Sequence, residues 1–113
     1  MLNNLEKIEE LVNQELAEAN KQHPLFHSWH EAYAVVLEEI DELQAELKRI
    51  EKYRERTWQL VKGDYGNLLH LCFERMHMHA LWAAGEAIQV SAMCIKAMNS
   101  NLDSEEDKEN RTE

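Results

Sequence analysis

KGDYGN, residues 62 to 67, is the clearest turn in a chain of 113 residues that holds only three Gly and one Pro. Gly and Asn tolerate the left-handed backbone conformation that ends a helix, so one long helix is expected to stop here and another to start. Before the turn, Val36, Ile40, Leu43, Leu47 and Ile50 are spaced 4-3-4-3, a narrow apolar seam of the coiled-coil kind that Trp58 and Val61 prolong. After it, Leu69, Phe73, Met76, Ala80, Ala83, Ala87, Val90 and Cys94 again alternate four and three. Two long helices joined by so short a turn form an antiparallel hairpin.

Working outward, Leu5, Ile8, Val12, Leu16 and Ala19 keep helical spacing, which predicts a first helix of roughly 15 residues ending before His23-Pro24. Ser28-Trp29-His30-Glu31 matches the capping box, in which hydroxyl and carboxylate satisfy free amides at a helix start. His30 is expected to support that start. The Val35-Val36 pair lies inside a helical pattern, so no strand is expected. The fold class is therefore all-α, a helical bundle built on the long antiparallel hairpin. A chain this short, with so apolar a third helix, is expected to complete its core by homo-oligomerisation. Residues 1–102 form a single all-α domain, and 103–113, polar and charged without apolar period, form an acidic flexible tail.

The formal net charge is −10, and the tail contributes six acids against two bases. Duplex nucleic acid is therefore excluded as a partner, since binding it needs a basic stripe. An anionic ligand requires a cation to mediate. The apolar run from Ala80 to Ile95 is too short, and too polar at Glu86 and Gln89, to cross a membrane. Cys72 and Cys94 lie about 33 Å apart along one helix and cannot pair with each other. Two free thiols and no basic, then apolar, leader suit a cytoplasmic location.

The carboxylates stand out against this background. Glu38-Glu42 and Glu42-Glu46 are like-charge pairs at i,i+4, which destabilise a helix by about 0.3 kcal/mol each unless something compensates. A hairpin centred on the turn sets Glu39 opposite Val90 and Glu42 opposite Ala87, so Glu86 and Gln89 fall at the level of Glu39 and Glu42. Two helices then each present oxygen ligands at i and i+3, as carboxylate metal sites in helical bundles do. Hard oxygens in one place suit Mg2+ or Mn2+. Gly85, costly inside a helix, is expected to meet a packing or functional need.

Ser28-Trp29-His30-Glu31-Ala32-Tyr33-Ala34-Val35-Val36-Leu37-Glu38-Glu39-Ile40-Asp41-Glu42-Leu43, followed by Glu86-Ala87-Ile88-Gln89-Val90-Ser91-Ala92-Met93, resembles the MazG-like branch of the all-α nucleoside triphosphate pyrophosphohydrolases over roughly residues 24 to 98. The resemblance implies hydrolysis of a nucleoside triphosphate to monophosphate and pyrophosphate, with Mg2+ as cofactor and Mn2+ as the alternative ion. It assigns Glu39, Glu42 and Glu86 as metal ligands, with Gln89 at the position of the family's Asp. Glu38 becomes an outer carboxylate that orients or deprotonates water, making Glu38 and Glu39 the catalytic pair. Lys96 is the candidate for the substrate phosphates, against the alternative of a lysine snorkelling from a buried helix end. A homodimer or homotetramer is implied. Gln89 brings no charge, which favours a second reading: a catalytically inactive helical interaction protein of the same fold.

Other features carry less. Pro24 breaks the His23, His27, His30 set, and His77 and His79 point to different sides of a helix, so zinc is disfavoured. Trp29, Trp58 and Trp82 are read as core or oligomer interface before base stacking, and Met76, Met78, Met93 and Met98 as core filler.

Overall fold

The computed structural model of the chain describes residues 3–103, and these are all-helical: α1 spans Asn4–Gln22, α2 Trp29–Gly63 and α3 Gly66–Asn99, with no strand among the described residues. Apart from Asp103, the expected acidic tail lies outside them.

α1 is longer than its apolar spacing predicts, at 19 residues. Most of the extension is at the C-terminal end, where helical bonding continues until the His23 amide donates to the Ala19 carbonyl at 3.2 Å; at the start, the Asn3 side-chain oxygen accepts from the Glu6 amide at 2.8 Å and the Asn3 amide group donates to the Glu6 carboxylate at 3.3 Å. At the start of α2, the Ser28 hydroxyl accepts from the Glu31 amide at 3.1 Å, as the capping box requires. The Glu31 carboxylate instead meets the His27 ring at 3.2 Å. His27, rather than His30, is therefore the histidine that supports this helix start.

The turn after α2 ends the helix as expected, by a different residue. Asp64 takes the left-handed conformation, with φ 58°, and neither Gly of the turn has a positive φ. The Asp64 amide donates to the Val61 carbonyl and the Tyr65 amide to the Leu60 carbonyl, both at 3.2 Å, which is the Schellman pattern. Gly63 serves space instead: a Cβ there would run into the Tyr65 ring.

The described helices fall into two compact units, one made of the chain up to Leu37 and from Ile88 onward, the other of Glu38–Ala87. In the first, Val12, Phe26, Ala32, Ala92 and Met93 form the buried core. The buried Ser100 hydroxyl accepts from the Phe26 amide at 3.0 Å and donates to the Lys96 carbonyl at 2.7 Å, tying the α1–α2 connection to the end of α3.

The second unit carries the main departure from the expected seams. On α2 the inward positions are Glu39, Leu43, Glu46, Ile50, Tyr53, Thr57 and Leu60, all buried or half-buried and spaced alternately four and three. Leu47, Trp58 and Val61, expected inside, are exposed. On α3 the inward positions are Leu69, Cys72, Met76, His79, Ala83 and Glu86, while Phe73, Ala80 and Ala87 face outward. Each seam keeps its heptad period, but every second position is shifted by one residue, because Glu39, Glu46, His79 and Glu86 occupy slots that an apolar count assigns to neighbours.

No helix among the described residues is long and apolar enough to cross a membrane.

Candidate functional site

Glu39 and Glu42 are one turn apart on α2 and therefore share a face; Glu86 belongs to the inward stripe of α3. Each of the three offers a carboxylate oxygen, and these oxygens lie within 4.8 Å of one another. Glu39 and Glu86 are half-buried, and Glu42 is exposed.

Three negative charges this close repel, and the site shows the consequence. Burial raises the Glu86 carboxyl from its ordinary 4.5 to about 7, helped by hydrogen bonding of its neutral form to Glu42 and by the charges of Glu42 and Glu39. In the metal-free protein a proton does part of the neutralising that a cation would do. The donor set fits a small hard cation: all three are carboxylate oxygens, and Mg2+ takes oxygens at about 2.0–2.1 Å, so two oxygens on one ion stand at most about 4.2 Å apart. Cis oxygens on an octahedral ion stand about 3 Å apart, so side-chain movements on the order of 1 Å each draw the three carboxylates onto one cation.

The other expected site residues are Glu38, Gln89 and Lys96. Glu38 is exposed and is not one of the three clustered acids. Gln89 is half-buried, one turn beyond Glu86 on α3, and belongs to the other compact unit. Lys96 is buried at 6% exposure, with its ammonium group 4.8 Å from the centre of the Phe26 ring, a cation–π contact within the core of its own unit.

Two further polar residues lie inside the α2–α3 contact of the second unit. His79 Nδ1 is 2.8 Å from Glu46 Oε2, and the other Glu46 oxygen receives Arg49 at 2.6 Å. The Tyr53 ring stacks on His79 at 5.9 Å and Trp82 meets it edge-on at 5.3 Å. Sequence reasoning set His79 aside and left Glu46 as one more acid. The signal that would have found them is the spacing of seven from Glu39 to Glu46 and from His79 to Glu86, which gives both pairs the same heptad slot.

Compared with models of known protein families, with curated proteins and with solved structures, this chain matches none.

Proposed function

We propose that this chain is a Mg2+-dependent nucleotide pyrophosphohydrolase that cleaves a nucleoside triphosphate to monophosphate and pyrophosphate. The observation that carries the reading is the meeting of Glu39, Glu42 and Glu86 oxygens within 4.8 Å, from two helices and from motifs that resemble those of the MazG-like enzymes. When bound, the cation supplies Lewis acidity and neutralises polyphosphate charge, with Mn2+ as the alternative ion. Glu39, Glu42 and Glu86 hold it, and Glu38 orients the attacking water and accepts its proton. The water oxygen bonds to the α-phosphorus, the bridge between α- and β-phosphorus breaks, and pyrophosphate leaves with the bridging electron pair.

The antiparallel hairpin belongs to this reading and is supported by the contacts of Glu39 with Glu86 and of Glu46 with His79, which run in opposite senses along the two helices. Homo-oligomerisation is supported by large apolar side chains left outside the core. Phe73 is 59% exposed, Leu81 60%, Trp58 56% and Trp82 52%, more open apolar surface than a lone domain of this size keeps without cost. A homodimer or homotetramer covers it, measurable as mass by light scattering.

A second reading, favoured by Gln89 in place of an acid, is a helical interaction protein without turnover. The deciding experiment is pyrophosphate release from a panel of ribo- and deoxyribonucleoside triphosphates with Mg2+. Turnover that disappears in Glu39→Ala and Glu86→Ala supports the enzyme; a folded protein with no turnover on any substrate sinks it.

A further inference from the structure

Glu46 and His79 are a polar pair that meets across the α2–α3 seam, each with 13% of its side chain exposed. Their placement bears directly on the carboxylate site. Glu46 lies seven residues after Glu39 on α2, and His79 seven residues before Glu86 on α3. Helices whose contacts run in opposite senses therefore align Glu46 with His79 in the same register that aligns Glu39 with Glu86. The two pairs are two turns apart, about 10.5 Å along the axis.

Between His79 and Glu86 the inward stripe of α3 holds only Ala83, a small side chain that by itself specifies register weakly, while Ala80, Ala84, Gly85 and Ala87 are exposed. A slip of one turn moves α3 by about 5.4 Å, which is more than the spread of the three carboxylate oxygens and would dismantle their cluster. A buried polar pair resists such a slip, because moving α3 by one turn leaves a carboxylate and an imidazole facing apolar neighbours. Here the pair is held from several sides. Arg49 takes the second Glu46 oxygen, Tyr53 covers one face of the imidazole and Trp82 its edge.

We propose that Glu46 and His79 are a positioning pair that locks the α2–α3 register and so brings Glu39 and Glu42 to Glu86. The inference rests on the reading of those three acids as a divalent-cation site. Neither residue of the pair touches the cation; they act through the alignment of the helices.

The test is Mn2+ binding by calorimetry on the full chain, with His79→Phe, His79→Gln and the double variant Glu46→Leu/His79→Leu. His79→Phe keeps an aromatic ring between Tyr53 and Trp82 but has no nitrogen for Glu46, and is expected to weaken Mn2+ binding about 10-fold or more, the scale of losing an outer support of a metal site. His79→Gln keeps a donor and restores affinity to within about 3-fold of the parent. The double-leucine variant keeps its helicity and cooperative unfolding yet loses Mn2+ affinity as His79→Phe does, a result that a general loss of folding does not produce. Equal Mn2+ affinity in all three variants overturns the proposal.

A second arm reads register without metal. Spin labels at the exposed positions Gln44 and Glu74, in a background with Cys72→Ala and Cys94→Ala, report one inter-helix distance in the parent. The double-leucine variant is expected to show a second population displaced along the axis by about one turn, ~5 Å. An unchanged distance distribution overturns the register lock. If the parent itself binds no Mn2+, and Glu39→Ala behaves identically, the metal reading fails while the spin-label arm still decides the lock.

Discussion

Glu86 and Glu42 bring carboxylate oxygens within 4.8 Å of each other, and the folded protein holds the Glu86 proton up to about pH 7. In the unfolded chain the same group releases it near 4.5. The folded state thus binds the extra proton between these values, and this contribution to stability is full below 4.5 and lost as pH rises through 7. Because Glu86 is half-buried and solvent screens part of the interaction, the loss amounts to about 1–2 kcal/mol. Urea unfolding of the metal-free protein across pH 4.5 to 8 is expected to show that fall in the parent, and a flatter profile in Glu86→Gln. A Glu86→Gln profile parallel to the parent's contradicts it.

At pH 8 the same three acids are short of positive charge, so Mg2+ stabilises the fold by mass action. At 100 times the dissociation constant the gain is about 2.7 kcal/mol, and each kcal/mol raises Tm by about 4 °C for a chain of this length. Thermal unfolding should therefore shift upward by several degrees with Mg2+ and return on adding EDTA. Glu39→Ala and Glu42→Ala should show no such shift.

Ser100→Ala leaves the Phe26 amide without its partner inside the core that also contains Val12 and Met93. An unsatisfied buried donor costs about 1–3 kcal/mol, and the lower midpoint in urea reads it directly. Ser100→Thr, which restores an oxygen, should recover part of the loss.

Gly85 faces open space within its own chain, with nothing within 4 Å of where a Cβ would stand. The packing need expected from its position inside α3 is therefore not met by this chain's own residues. Gly85→Ala should raise stability by about 0.5–1 kcal/mol through helix propensity alone. Destabilisation accompanied by a smaller mass in solution would instead identify Gly85 as a close-contact point between copies.

The turn offers an opposite pair of outcomes. Asp64→Gly relieves a left-handed residue and should stabilise by up to about 1 kcal/mol. Gly63→Ala should destabilise despite better propensity, because its methyl meets the Tyr65 ring, and Tyr65→Ala should cancel that cost. Equilibrium unfolding of the two single variants and the double variant measures the coupling.

Much of this architecture is legible from local chemistry. Ser28 before an acid three residues on, the KGDYGN turn and the sustained four-three spacing mark where helices start and stop, because caps and turns act within a few residues of themselves. Glu39 and Glu42 are nameable for the same reason, since i,i+3 spacing settles which side chains share a face of one helix, whereas Glu86 is reached only through the hairpin register and the resemblance to the MazG-like motifs. The Asn3 cap is equally local, an Asn-x-x-Glu sequence that lies outside the apolar spacing of α1.

What the sequence by itself determined, then, is three helices, the start of α2 and the turn between α2 and α3, along with a set of acids on a common side of α2. Which residue faces inward at each turn was decided only by the tertiary structure. Leu47 and Phe73 are more apolar than Glu46 and His79, yet they face outward while the charged carboxylate and the imidazole turn in. The physical reason is that a polar side chain is accepted inside a seam when the opposite helix supplies its partner, and that partner, 33 positions away for Glu46, is invisible to any pattern read along one helix.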